Sequence, residues 1–234
     1  MRGLPGTACR RRIYLMRHAD VCYFDPAGRP LDPRHVPLTE LGRQQAAAAA
    51  ELLAEVAFDA AICSGLERTE ETARIVLGAR NLSLRHETRF KEVKAGRLAD
   101  VPADMREQVV GYAYDAAHLP DASFMGGERW RDVQTRVLAA WHDLFADDSW
   151  LTLLLVAHDA VNRILLAHIA GAGLGGLNAF EQDPACINII EMDVDAGRVE
   201  RAFLRAVNLT GCDPIRANSH LTVLERVFRQ YKPG

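Results

Sequence analysis

Two apolar runs in this chain each stop at a histidine, and that recurrence constrains the fold more than any other feature. Ile13-Tyr14-Leu15-Met16 runs into Arg17-His18-Ala19-Asp20, and the Leu151 to Val156 run passes through Ala157 into His158-Asp159. The second run is almost wholly apolar. A strand of that kind is covered on both faces, which is the situation in a parallel sheet flanked by helices. The rest of the chain alternates accordingly. A helix is predicted from the N-cap Thr39 through the alanine run Ala46 to Ala50 and on to about Val56. Phe58 to Cys63 reads as a strand, Glu67 to Leu77 as a helix stopped by Gly78, and Leu82-Ser83-Leu84 as a third strand. Gly126-Gly127 opens a helix to about Phe145, and Ala160 to Ala170 forms another, ended by a cluster of glycines. Ile187 to Met192 and Val199 to Ala206 read as two strands joined by a turn at Asp195-Ala196-Gly197. Pro26 to Pro37 is a loop. Residues 88–126 have weak periodicity and mixed composition, and are predicted to be a small insertion lying over the sheet. The expected fold class is α/β, a three-layer α/β/α sandwich with a mostly parallel central sheet, in one domain spanning residues 1–234.

Bulk properties narrow the function. A net charge of −3 and a pI near 6.2 argue against a nucleic-acid or membrane-surface partner. No apolar run approaches the roughly 20 residues a bilayer requires. Met1 to Arg12 carries four arginines with no apolar stretch of secretory length after it, so no signal peptide is expected. The five cysteines (Cys9, Cys22, Cys63, Cys186 and Cys212) form no Cys-x-x-Cys pair and read as reduced thiols in a cytoplasmic protein. Trp130, Trp141 and Trp150 read as core.

Ligands of parallel α/β sheets bind beyond the carboxyl ends of the strands. His18 and His158 end such strands and are predicted to emerge at one edge. The second strand leads through Cys63-Ser64-Gly65-Leu66-Glu67 into Arg68, at the start of a helix. The helix dipole disfavours a cation there, and a bound anion removes the conflict. Pairing of Arg68 with Glu67 or Glu71 is the alternative. Metal ligation by His18, Asp20, His158 and Asp159 has no helical histidine pair or ligand spacing behind it, so no metal is expected.

Several segments in order resemble the histidine phosphatase superfamily, which includes the cofactor-dependent phosphoglycerate mutases. Arg17-His18-Ala19-Asp20 is similar to its arginine-histidine-glycine signature. Leu38 to Ala46 resembles its first helix, and Ser64 to Ala73 its second-arginine segment. Lys91-Glu92 with Gly96 resembles its acid-bearing segment, and Gly126-Gly127-Glu128 with Arg136 the helix before the last motif. Leu155-Val156-Ala157-His158 with Val161 and Arg163 resembles its second-histidine segment. The resemblance covers residues 13–192. It implies His18 as a covalent nucleophile, with Arg17, Arg68 and a protonated His158 around the phosphate. It implies Glu92 as general acid and base, with Asp159 as a rival, because His158-Asp159 also resembles the acid phosphatase branch. Many members carry an asparagine six residues after the first histidine, where this chain has Phe24. Ser64 is then either a substitute phosphate contact, beside Asp159, or a strand-end cap. Lys91, Lys94, Arg97 and Arg106 suit either an anionic substrate body or a solvated face. The implied activity is metal-independent hydrolysis of a phosphate monoester, without cofactor, on a small phosphorylated metabolite. A phosphoglycerate mutase-type phosphotransferase and a non-catalytic phospho-ligand binding protein are the alternatives. The longer insertion and tryptophan-asparagine motif of the mutases are absent. A homodimer is left open.

Overall fold

A computed structural model describes residues 10–25, 29, 31–212 and 220–230. The expectations for Met1 to Cys9, and for Pro26 to Gly28 and Pro30 of the loop, lie outside the described residues.

Six strands form one sheet in the order β3-β2-β4-β1-β5-β6. They are β1 (Arg10–Arg17), β2 (Ala60–Cys63), β3 (Leu84–His86), β4 (Thr152–Ala157), β5 (Ile187–Asp195) and β6 (Arg198–Leu209). β1, β4, β2 and β3 run parallel, while β5 is antiparallel to β1 and β6 to β5. The helices are α1 (Glu40–Leu52), α2 (Glu67–Leu77), α3 (Arg106–Gly111), α4 (Trp130–Asp143), α5 (Asp159–Ile169) and α6 (Val223–Gln230).

The alternation of β4 explains the three layers. Leu153, Leu155 and Ala157 pack with Val137 and Trp141 of α4 and Ile164 and Leu165 of α5. Leu154 and Val156 face the other way, against Ala49 of α1 and Ala73 and Val76 of α2. Each such leucine contributes about 1.5–3 kcal/mol on burial, so the central strand is held from both sides. Trp130, Trp141 and Trp150 all belong to the first of these clusters. Among the described residues no single helix is long and apolar enough to cross a membrane.

Where element ends differ from the sequence expectation, polar contacts, strand pairing or turn geometry are the reason. β1 begins at Arg10 rather than Ile13, because Arg10 pairs with Asp193 (2.8 Å) and Arg12 with Glu191 on β5. Cross-strand ion pairs let arginines extend a strand that the apolar pattern alone would end. α1 is capped as predicted, with Thr39 Oγ1 accepting from Gly42 N (3.0 Å). It stops at Leu52 rather than near Val56, where Arg80 donates to the carbonyls of Leu53 (2.7 Å) and Ala54 (2.8 Å). α2 ends at Leu77, before Gly78 at φ +54°. β3 lies two residues later than expected, set by its pairing of Leu84 to His86 with Ala61 to Cys63. α4 starts at Trp130, because 125–129 form a tight turn with Met125 and Gly126 at positive φ.

Candidate active site

The sheet order makes β1 and β4 neighbours, with Arg17 beside Ala157 in the register. The next residues, His18 and His158, therefore leave the same sheet edge side by side, their ring centroids 5.2 Å apart. His18 N donates to Ala157 O (3.0 Å), extending the ladder one step. His158 is the N-cap residue of α5 and Asp159 its first residue.

His18 is buried. Its Nδ1 lies 2.8 Å from Ala19 O, an acceptor only, so the ring proton sits on Nδ1 and the Nε2 lone pair is free. Burial holds its pKa well below the usual histidine value, reinforced by Arg68 and Arg17. Ala19 N in turn donates to Thr72 Oγ1 (3.0 Å), which fixes the loop after the strand.

Arg17 and Arg68 are buried guanidiniums held by backbone carbonyls. Arg17 Nη1 donates to Gln182 O (2.6 Å) and Arg68 Nη1 to Pro33 O (2.5 Å). Arg68 does not pair with its own helix: Glu71 engages Arg43 (2.8 Å) instead. Among the described residues, the buried side-chain nitrogens and oxygens without a hydrogen-bond partner are Arg17 Nε, Arg68 Nε and His158 Nδ1. Buried polar atoms are almost always satisfied, so three orphans in one place mark a site shaped for an acceptor.

His158 Nε2 is 2.8 Å from Ser64 Oγ, and Ser64 Oγ is 2.9 Å from Thr69 Oγ1. Ser64 is fully buried and holds the imidazole from behind. Burial, with Arg68, His18 and Arg17 around it, keeps the His158 pKa well below the histidine value. These neighbours disfavour the protonated His158 that the resemblance implies, and an anion beside the ring would favour it.

Glu92 is half-buried, not a surface carboxylate between lysines. Burial and the charge of Asp159 raise its pKa above the usual glutamate value, and Val93 N donates to its Oε1 (3.0 Å). Its backbone is clamped from α4. Arg136 donates to the carbonyls of Arg89 (2.6 Å), Lys91 (2.7 Å) and Glu92 (3.3 Å), and pairs with Glu128 (2.8 Å). This accounts for Glu128 and Arg136 as part of the sequence pattern. Asp159 is buried between two donors, Arg163 Nε (2.8 Å) and Tyr114 OH (2.9 Å).

The same clamp needs two glycines. A Cβ on Gly96 would stand 1.8 Å from Met125 O, and one on Gly127 would stand 2.2 Å from Lys94 O. Both obstacles are backbone. Gly96→Ala is expected to cost about 3 kcal/mol, lowering the melting temperature by roughly 6–12 °C. A thermal melt within 2 °C or so of the parent would contradict the interlock.

A cavity of about 1770 Å³ is lined by Arg17, Arg68, Glu92, Asp159 and Tyr23 among others. A smaller one of about 320 Å³ is lined by His18, and Arg17, Tyr23, Val223 and Val227 border both. Lys91, Lys94, Arg97 and Phe24 line the larger cavity. Arg106 turns its Nε to Val101 O (3.1 Å). Tyr23 and Tyr114 have no counterpart in the sequence expectations. Tyr23 is adjacent to the divergent Phe24, the one signal that could have found it; burial raises the pKa of both phenols. Among the described residues no group of three or more His, Cys, Asp and Glu is placed to hold a metal ion.

Comparison with known proteins shows the family. The family profile for the histidine phosphatase superfamily (branch 1) matches residues 13–204. The adenosylcobalamin/α-ribazole phosphatase of Escherichia coli K12 is 27% identical over 187 residues, covering 78% of this chain and 90% of that protein. The 2-carboxy-D-arabinitol-1-phosphatase of Triticum aestivum is 24% identical over 219 residues, covering 92% of this chain but 44% of the wheat protein. This chain thus spans less than half the length of that relative. Among solved structures, the α-ribazole phosphatase of Shigella flexneri superposes with a TM-score of 0.67 at 28% identity, covering 84% of this chain and 96% of the other. A mycobacterial glucosyl-3-phosphoglycerate phosphatase gives 0.67 at 25% identity, covering 85% and 99%. On the family match across residues 13–204 and the shared fold, the chain belongs to the histidine phosphatase superfamily.

Proposed function

We propose that the protein hydrolyses a phosphate monoester of a small metabolite through a phosphohistidine on His18, without a metal. The observation that carries this is the trio of unsatisfied buried nitrogens on Arg17, Arg68 and His158, gathered around a histidine with a free Nε2 lone pair.

A phosphate placed among these groups accepts from the two guanidiniums. Its negative charge draws a proton onto His158, reversing the effect of the arginines on that ring. His18 Nε2 attacks phosphorus, and the bond to the ester oxygen breaks in line. Glu92, whose acid form is favoured by its raised pKa, gives its proton to the departing alkoxide. The resulting carboxylate takes a proton from water, whose oxygen attacks phosphorus. The phosphorus–nitrogen bond breaks, releasing inorganic phosphate and restoring His18 and the Glu92 carboxylic acid. Ser64 positions His158 rather than touching phosphate, as its burial behind the ring supports. Asp159 orients the wall beside the phosphate through Arg163 and Tyr114.

Arginines supply the charge in this reading, so phosphate release from p-nitrophenyl phosphate is expected to survive dialysis against EDTA at more than about half its rate. Complete loss restored by zinc or magnesium would refute it. Isomerisation of 3-phosphoglycerate in the same preparation, faster than phosphate release, would establish the mutase reading instead.

A further inference from the structure

The family match ends at residue 204, yet a segment beyond it builds a wall of the larger cavity. α6 lines that cavity with Val223, Leu224, Val227 and Phe228. Its seat is built from specific contacts. Thr222 and Glu225 form a reciprocal capping box, Glu225 Oε2 accepting from Thr222 N (2.7 Å) and Thr222 Oγ1 from Glu225 N (3.2 Å). Arg226 Nη2 donates to Asp183 (2.5 Å). Glu181 accepts from Val223 N (3.3 Å) with one oxygen and pairs with Arg163 through the other. Arg163 also holds Asp159, so one chain of ionic contacts ties α6 to the phosphate end of the cavity.

The remaining walls on this side are apolar as well. Leu98, Val110, Tyr114 and Phe124 line the cavity, and α6 packs on α3. Charged residues line other parts of the cavity: Arg34 pairs with Asp32 (2.6 Å) and Arg74 with Glu70 (2.7 Å), and Lys91, Lys94 and Arg97 border it too. A polyhydroxylated body would find little on α6 to bond to. The volume of about 1770 Å³ also exceeds the roughly 300–1,000 Å³ typical of small-molecule sites.

We propose that α6 is a specificity element and that the alcohol half of the substrate is bulky and apolar. The substrate class is a phosphate monoester of a long-chain or polycyclic alcohol, its phosphate at Arg17 and Arg68 and its body against α6. The proposal rests on the phosphatase reading above. It adds the side of the molecule that the phosphate machinery does not read.

Butyl, hexyl and octyl phosphate, each below its micelle concentration, test it on the full chain. All three leave as primary alkoxides, so intrinsic reactivity is constant and only apolar contact varies. The kcat/KM is expected to rise roughly 10- to 100-fold from butyl to octyl. Phe228→Ala, and independently Leu224→Ala, should each lower the octyl-to-butyl ratio several-fold. Arg229→Ala, exposed on the same helix, should leave the ratio as it is. Should Phe228→Ala lose its fold by circular dichroism, Leu224→Ala and the parent series decide. Calorimetric titration of the His18→Ala protein reads the same wall without turnover: octyl phosphate binding at least tenfold tighter than butyl phosphate supports the proposal, and equal affinities overturn it. A flat or falling series, with glycerol phosphate hydrolysed faster than octyl phosphate, overturns it while leaving the phosphatase standing. Absence of phosphate release from every ester, p-nitrophenyl phosphate included, overturns the phosphatase reading, and the titration then judges the wall alone.

Discussion

Replacing His18 by alanine is expected to reduce kcat on any phosphate monoester by a factor on the order of 10⁴ or more. Losing one charge contact costs less than that. The size of the effect comes from removing the atom that forms a bond to phosphorus, not an auxiliary. His158 is the other imidazole at this edge; its Nε2 is engaged by Ser64 Oγ at 2.8 Å, and in the proposed mechanism its Nδ1 serves the phosphate oxygens. The Nδ1 proton of His18 is held by Ala19 O at 2.8 Å, which keeps the lone pair on Nε2. The lowered pKa of His18 favours the unprotonated form of that lone pair. Quenching the parent enzyme with ³²P-labelled substrate should trap an acid-labile, base-stable adduct, and the alanine variant should trap none. A variant retaining a tenth of the parent rate would rule out His18 as nucleophile.

The second large effect separates two carboxylates by the leaving group. Glu92→Gln should slow an alkyl phosphate by roughly 10²–10⁴, since an alkoxide departs poorly without a proton. Phosphohistidine formation from p-nitrophenyl phosphate should be nearly unaffected, because p-nitrophenolate leaves unaided. Its hydrolysis will slow, as the same carboxylate activates water, and burst kinetics distinguish the two steps. The pH profile carries a matching sign. Burial raises the Glu92 pKa, so the required acid form persists above the usual glutamate range and is lost as pH rises through the raised value. The alkaline limb of kcat/KM for alkyl esters should therefore belong to Glu92 and vanish in Glu92→Gln. Asp159→Asn should slow both substrates alike, because Asp159 already receives Arg163 and Tyr114 and acts through orientation. Leaving-group dependence in Asp159→Asn, and none in Glu92→Gln, would exchange the two roles.

Much of this site could be read from the chain, for a local reason. Strands and the residues that end them are adjacent in sequence, so His18 and His158 are legible as strand-end residues, and Arg68 as the first turn of a helix. The apolar run of β4 needs no partner to be identified as a central strand, since no other environment buries both its faces. The family segments from Arg17 to His158 follow the same logic, each being a short stretch that closes on itself.

What the one-dimensional pattern lacked was any contact between distant segments. The beginning of β1 at Arg10 depends on carboxylates more than 170 residues away on β5. Glu92 stands beside Lys91 in the sequence, and only the fold brings Arg136 onto its backbone carbonyl and Asp159 near enough to raise its pKa. Ser64 became a support for His158 only because β2 lies beside β4. Tyr23, Tyr114 and the apolar face of α6 come from three separate parts of the chain and meet at one cavity. Local pattern thus determined the strands, the placement of His18 and His158 at their ends and that of Arg68 in the first turn of a helix. The raised pKa of Glu92 and the apolar wall that α6 gives the larger cavity were decided by packing, because burial and electrostatic neighbours are properties of the assembled fold and not of any one segment.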